Sequence, residues 1–287
     1  MSHRREGSNM ESSVTGQEIT TLNALLEKVY SKGGYDFRGY KHGTVMRRLE
    51  GRLYSTGTKT YLDYMEFLDD HPEEYQRLAD VLTIKISGFF RSPYAFQQVT
   101  RMVVPELVSR KKRGGKTNLR FWSTACARGQ EPYSIAILLA KSLRNELNDF
   151  NVSIYATDIS QQALRDAQRG IYSAKEVEGL TPADRESYFI HRNNSYAVRA
   201  DIKQMVSLSY FDLASPAKSP FTDIDCIFCC NVLIYLQTHL QESVLGMLYD
   251  SLTTPGYLVL GEVETLTSNL NEKLECLDNK ARIYKKV

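Results

Sequence analysis

The sequence lacks a strong charge of either sign, long apolar runs and a glycine-rich phosphate loop, and each lack removes a class of function. With 36 Lys+Arg against 34 Asp+Glu in 287 residues the net charge is +2. That is too small to argue for nucleic acid, so electrostatic recognition must come from local clusters. The longest apolar runs fall well short of the ~20 residues of a membrane helix, and the polar start Met1-Ser-His-Arg-Arg-Glu6 has no apolar secretory core. The expectation is a cytoplasmic protein that does not insert into membranes. The five cysteines (126, 226, 229, 230, 276) are an odd number, consistent with reduced thiols. Cys226-x-x-Cys229-Cys230 has no second ligand pair at metal-site spacing and lies inside a run that reads as a buried strand, so no metal is expected. Nothing demands more than a monomer.

At 42% hydrophobic and 24% charged the composition is ordinary for a globular chain, with room for one large or two modest domains. The chain is organised around Leu119 to Ser134. Leu119, Phe121 and Trp122 suit a buried strand, small residues with the single Gly129 follow, and Glu131-Pro132 suits a first helical turn. Ile135, Leu138, Leu139 and Leu143 then recur at helical spacing, and Val152 to Asp158 gives a second strand ending in an acid. This is the order of a nucleoside-binding half, in which the acid takes ribose hydroxyls. The turn is not Gly-x-Gly-x-x-Gly and opens with a carboxylate, which favours a cofactor carrying an ammonium or sulfonium, S-adenosylmethionine, over NAD. An ordinary strand and helix with a capping Glu would read the same by itself.

From Thr20 to about Arg113 the pattern is helical: Leu22, Leu25, Leu26 and Val29 form one apolar face, Val45, Leu49 and Leu53 another, Tyr61, Tyr64, Met65 and Leu68 a third. Lys41, Arg48 and Arg52 share one face of the second helix, read as outward, with Arg47 beside it. Such a row is either a solvated face or a dock for an acidic helix. Lys111 to Lys116 reads as a flexible linker, and Arg91, ahead of Ser92-Pro93, as a residue at a domain edge. After Asp158, Ser160 caps a helix ending near Gly170. Short strand-like runs at Ser187–Ile190, Tyr196–Arg199 and Met205–Leu208, with a hairpin turn at Arg192–Ser195, then suggest an inserted antiparallel subdomain, the last of these runs also being a place for the main sheet to resume. The strand from Asp225 leads into Asn231 and Tyr235 near the carboxyl edge of the sheet, where open α/β sheets hold ligands. A helix (Leu240 to Leu252), a strand (Pro255 to Leu260), a further helical stretch and a strand from Ala281 follow, the last two strands being expected as an antiparallel edge.

With these pieces in hand the sequence resembles the CheR family of chemotaxis receptor methyltransferases from about Thr20 onward. The resemblance rests on Arg47-Arg-Leu-x-x-Arg-Leu53, Ser87-Gly-Phe-Phe-Arg91, Trp122-Ser-x-Ala-Cys-x-x-Gly-Gln-Glu-Pro-Tyr-Ser134, Ala156-Thr-Asp158, Gly170-Ile-Tyr172, Cys229-x-Asn-Val-Leu-Ile-Tyr235 and Pro255-Gly-Tyr-Leu-x-Leu-Gly261. It implies an α/β protein: an all-helical N-terminal domain plus a Rossmann-like methyltransferase domain with a mixed seven-stranded sheet and an inserted β-subdomain. The expected divisions are a tail at 1–16, a helical domain at 17–92, a connecting helix and linker at 93–117, and a methyltransferase domain at 118–287 with its insertion at about 171–206.

The resemblance also implies a function. The cofactor would be S-adenosylmethionine, leaving S-adenosylhomocysteine, held by Ser87, Arg91, Glu131, Asp158, Asp212, Leu213 and Asn231, with Arg91 and Tyr235 around the methyl transfer. The product would be a glutamyl methyl ester on the cytoplasmic helices of chemoreceptors, with Arg48 and Arg52 as docking surface. The chain departs from the family pattern at Lys85 (usually Asn), Cys230 (usually Arg), Gln130 (usually Glu) and Gly261-Glu-Val-Glu264 (usually Gly-His-Ser-Glu). The short His191–Ser195 loop leads to the expectation that a C-terminal receptor tethering peptide does not bind tightly. The alternatives are a catalytically weak cofactor-binding regulatory or scaffold module and, more distantly, transfer to a nitrogen acceptor.

Overall fold

The structure, a computed structural model, describes residues 16–83, 87–215 and 218–287. The expected tail at 1–16 lies outside the described residues except for Gly16, and so does Lys85. The chain divides into two compact units, up to Leu82 and from Thr83, so the division falls ten residues ahead of the boundary expected at 92.

The first unit holds helices α1 (Gly16–Gly33), α2 (His42–Thr56), α3 (Tyr61–Asp70) and α4 (Glu73–Leu82). Its core joins the three apolar faces read from the sequence to Phe37, Leu78 and Leu82. Each leucine withdrawn fully from water contributes roughly 1.5–3 kcal/mol. Helix α3 begins with a capping box in which Thr60 accepts from the Asp63 amide and Asp63 from the Thr60 amide, satisfying donors that a helix start otherwise leaves open.

In this unit the outward reading of the arginine row is corrected. Arg52 grips the fully buried Glu74 of α4 with Nε (2.7 Å) and Nη2 (2.6 Å). Tyr64 donates to the same carboxylate at 2.7 Å, and Arg48 donates to the Val81 carbonyl at 2.6 Å. A buried carboxylate must be paired, and Arg52 is its partner. Lys41 and Arg47 are the members of the row that stand exposed.

The second unit opens with α5 (Pro93–Gln98), a short π-helical stretch (Val99–Val103) and α6 (Val104–Arg113). Phe96, Val99, Val103 and Leu107 enter the main core, so this segment is part of the second unit rather than a connector. Nor is Lys111 in a flexible linker: α6 runs to Arg113, and Arg110 (3.2 Å) and Lys111 (2.7 Å) pair with the fully buried Asp225.

The remaining elements are β1 (Asn118–Ser123), α7 (Gln130–Leu143), β2 (Asn151–Asp158), α8 (Gln161–Arg169), β3 (Ile171–Ser173), α9 (Pro182–Tyr188), β4 (Phe189–Arg192), β5 (Ser195–Val198), α10 (Ala200–Gln204), β6 (Val206–Tyr210), β7 (Ile224–Cys229), α11 (Thr238–Ser251), β8 (Leu252–Leu260), β9 (Leu274–Asp278) and β10 (Ile283–Lys286). The main sheet has seven strands in the order β6-β2-β1-β7-β8-β10-β9. The five from β6 to β8 are parallel, and β10 runs antiparallel between β8 and β9. Strand β7 is buried at all six positions, as a central strand covered on both faces requires; Cys226 and Cys229 are therefore core residues.

The inserted subdomain is the antiparallel sheet β3-β5-β4, whose hairpin turns at Asn193 with φ 52°, a conformation asparagine tolerates. Three local expectations change. Ser187 and Tyr188 belong to α9, started by Thr181, whose side chain accepts from the Asp184 amide. The stretch after β8 expected as helix contains β9. The sheet edge there is β9, with β10 inserted inside it.

Candidate active site

Parallel strands present their carboxyl ends at one edge, where the chain leaves the sheet and side chains can converge. Here the ends of β1, β2, β6, β7 and β8 lead to Ser123, Asp158, Asp212, Asn231 and Gly261 in turn.

The turn after β1 is held from several sides. The Cys126 amide donates to the Thr157 carbonyl (2.9 Å) and Gly129 N–H to the Cys126 carbonyl (2.9 Å). The Tyr172 hydroxyl donates to the Arg128 carbonyl at 2.7 Å. Gly129 has φ 90°, and a Cβ there would lie 2.9 Å from that of Ala167, so glycine answers both a conformational and a packing demand. Asp158, at the end of β2, accepts from the Ala127 amide through Oδ2 and from the Ser160 amide through Oδ1, both at 2.8 Å. The second strand's acid is thereby fixed to the first strand's turn.

Glu131 sits in the first turn of α7. The Ser123 hydroxyl donates to it at 2.7 Å, and the Cys230 thiol, Glu264 and Arg91 act on it. One side reaches solvent, but the carboxyl is enclosed: burial, opposed by the Ser123 hydrogen bond and assisted by the Glu264 charge, pushes it up to about 7. Arg91 reaches this neighbourhood from an anchored loop. The Phe90 amide donates to the Ser134 hydroxyl (2.9 Å), which donates in turn to the Gln130 carbonyl (2.7 Å). Arg91 itself is exposed, and Ser87 is half-buried upstream on the same segment.

At the ends of β6 and β7 lie the other expected residues. The Phe211 amide donates to the Asp158 carbonyl at 3.3 Å, Asp212 accepts from the Ala214 amide at 2.9 Å, and Leu213 is buried. After β7 the chain turns at Asn231 (φ 59°) into a short 3-10 helix, Leu233–Tyr235, leaving Tyr235 half-buried. Non-glycine residues with positive φ thus stand at three points of the site, Phe90, Ala127 and Asn231, and such conformations persist only where surroundings over-determine them.

The expected residues fall into two groups. Arg91, Glu131, Asp158 and Asn231 come together with Asp212 and Leu213 along the sheet's carboxyl edge, and Tyr235 shares the turn of Asn231. Arg48 and Arg52 belong to the other unit. Sequence reasoning missed Ser123, Ser134 and above all Glu264, which entered only as the last residue of the Gly261–Glu264 segment. Its signal was an acid three residues after the glycine that follows β8.

The donor set suits S-adenosylmethionine. Asp158 is held by two main-chain N–H groups at the end of β2, where a carboxylate is suited to accept from ribose hydroxyls. Glu131 offers an acid to an ammonium. The buried Gln130 Oε1, in the same helical turn, has no hydrogen-bond partner, a deficit that costs about 1–3 kcal/mol until a donor arrives. Among the described residues no group of His, Cys, Asp and Glu could hold a metal ion, and no helix is long and apolar enough to cross a membrane.

A mixed seven-stranded sheet of this order with these residues along its carboxyl edge defines a Rossmann-like, S-adenosylmethionine-dependent methyltransferase. The profile of the CheR methyltransferase SAM-binding domain matches residues 85–283, and that of the CheR all-alpha domain residues 20–83. The chain belongs to the CheR methyltransferase family. A chemotaxis protein methyltransferase of Borreliella burgdorferi is 28% identical over 92% of this chain and 93% of its own length. The chemotaxis protein methyltransferase of Escherichia coli is 30% identical over 85% and 83%. An uncharacterized 104.1 kDa protein of Rhodobacter capsulatus is 29% identical over 92% of this chain, which spans 27% of that longer protein.

Proposed function

We propose that the chain makes glutamyl methyl esters on the cytoplasmic helices of chemoreceptors. The observation that carries this reading is the sheet's carboxyl edge, where Asp158 and Glu131 stand beside the Asn231–Tyr235 turn, in a chain matched by the CheR methyltransferase SAM-binding domain. Bound S-adenosylmethionine supplies an electrophilic methyl on a sulfonium. A glutamate side chain, with an ordinary pKa of about 4.3, is already a carboxylate at neutral pH, so no strong general base is needed. Arg91 holds that carboxylate by charge and Tyr235 by its hydroxyl, and neither takes a proton. The new O–C bond forms as the S–C bond breaks and its electron pair returns to sulfur, leaving a neutral ester and thioether. In-line placement at about 3 Å and exclusion of water supply the rate. Exposed Arg47 on α2 and Lys41 just ahead of it fit the acidic face of an acceptor helix better than Arg48 and Arg52, which are engaged within their own unit.

The test is incubation with methyl-labelled cofactor and a receptor cytoplasmic fragment. Label released as methanol by mild base, and absent when the acceptor glutamates are replaced by alanine, supports the reading. Label that resists base overturns it in favour of a nitrogen acceptor, and absence of transfer despite cofactor binding favours a scaffold module.

A further inference from the structure

Glu264 is 3% exposed and receives main-chain N–H groups from two strand ends. Its Oε2 accepts from Gly261 (2.7 Å) and Asn231 (2.8 Å), and its Oε1 from Val232 (2.9 Å), Leu233 (2.8 Å) and, at longer range, Ile234 (3.4 Å). The Val232 to Ile234 amides belong to the start of the 3-10 helix, where donors lack intrahelical partners. Hydrogen bonds from N–H groups to a carboxylate are stronger than those to neutral acceptors, so this side chain determines the shape of the turn that bears Asn231 and Tyr235. The Glu264 amide closes its own turn on the Gly261 carbonyl (2.9 Å). A Cβ at Gly261 would lie 2.7 Å from Glu264 Oε2 and 2.9 Å from the Asn231 nitrogen. Glycine at 261 and glutamate at 264 are therefore one device: the first makes the space that the second fills.

We propose that Glu264 is a positioning residue of the cofactor site, shaping the Asn231–Tyr235 turn through its main chain and opposing the negative charge of Glu131 with its own. The proposal rests on the reading of this edge as the cofactor site. Around Glu131 stand Ser123 on β1, Cys126 in the following turn, Cys229 and Cys230 at the end of β7, Glu264 after β8 and Arg91 ahead of α5. Burial pushes the three thiols well above their ordinary range, so they do not ionise near neutrality. Of the two acids, Glu264 spends its charge on main-chain amides and leaves Glu131 to meet the ligand's ammonium. Ligand affinity then follows Glu131 ionisation, and Glu264 sets where on the pH scale that occurs.

The experiment is calorimetric titration with S-adenosylhomocysteine between pH 5.5 and 8.5, using the full chain and its Glu264→Gln variant, with folding checked by circular dichroism. In the unsubstituted chain affinity rises up to about tenfold per pH unit below 7 and levels above it. In the Gln variant an amide N–H2 replaces one acceptor, so the plateau affinity drops at least about tenfold, a loss of one charged hydrogen bond. Its midpoint also moves to lower pH, by about half a unit or more. Both changes together support the proposal. Wild-type affinity and midpoint overturn it, and so does weaker binding at every pH with an unmoved midpoint, which a purely structural brace would give.

If the Gln variant does not fold, Glu264→Asp, which keeps the charge with a shorter reach, carries the test: lower plateau affinity with an unmoved midpoint supports the proposal and unchanged affinity overturns it. Absence of binding by the folded unsubstituted chain overturns the cofactor reading as well, and is recognised because the parent fails too.

Discussion

The Ser123 hydroxyl donates to the Glu131 carboxyl at 2.7 Å, joining the last residue of β1 to the first turn of the helix that follows it. One short bond does not offset the withdrawal of an acid from water, and the pKa of Glu131 rises to about 7. The native chain therefore holds a proton that the unfolded chain has released from about pH 4.5 upward, and stability falls as pH rises from there to about 7. Glu131→Gln keeps the acceptor for Ser123 and removes the charge. Thermal melts should show the variant more stable than the parent at pH 8, by on the order of 2 kcal/mol given partial solvent access, with the two converging toward pH 4. The same variant should lose S-adenosylhomocysteine affinity. A less stable variant at pH 8 would contradict this account of Glu131.

Asp158 has a double role. Its two oxygens hold the Ala127 and Ser160 amides, and it is the acid expected to take the ribose hydroxyls. Asp158→Ala should weaken S-adenosylhomocysteine by about hundredfold or more, the loss of two hydrogen bonds to a charged group, and lower stability by about 1–3 kcal/mol. Calorimetry and denaturant melts read the two effects separately, and micromolar affinity retained in the variant would remove Asp158 from the site.

The arginines of α2 should separate by substitution. Arg52→Ala strands the buried Glu74 and should cost about 3–5 kcal/mol in the first unit. Arg47→Ala, at an exposed position, should change stability by less than about 0.5 kcal/mol while raising the KM for a receptor fragment. Equal melting behaviour of the two variants would contradict the assignment of Arg52 to an internal ion pair.

Much of the fold was legible because it is written in side chains. The β1 and β2 runs, the small-residue turn, the α7 face and the acid after β2 could be read as residue types at fixed spacing. What escaped was written in main chain or in distant neighbours. Glu264 is held by amides, which carry no residue identity. Helical periodicity placed Arg48 and Arg52 on one face of α2 but could not say that α4, with a buried acid, lies against it. Strand β9 buries only Leu274 fully, so it has little of the alternation that marks a strand. The Thr181 cap of α9 was present in the sequence and was outweighed by the aromatic run after it.

Tyr235→Phe removes one hydroxyl from a half-buried position on a turn braced elsewhere. Transfer assays should show kcat reduced at least about tenfold, a loss expected for one hydrogen bond made in the transition state, with S-adenosylhomocysteine affinity unchanged. Arg91→Ala should reduce turnover and also weaken the cofactor, because Arg91 acts on Glu131. Wild-type turnover in both variants would remove these side chains from the chemistry.

The insertion of β10 between β8 and β9 bears on how the domain is made. Strand β9 meets the main sheet only through β10, which is translated after it, so a ribosome-bound chain that has reached Asp278 carries a strand with no place yet to pair. The cofactor edge is assembled from segments that all emerge earlier, up to Glu264. Every residue of the cofactor edge thus precedes, in chain order, the two strands that finish the far side of the sheet.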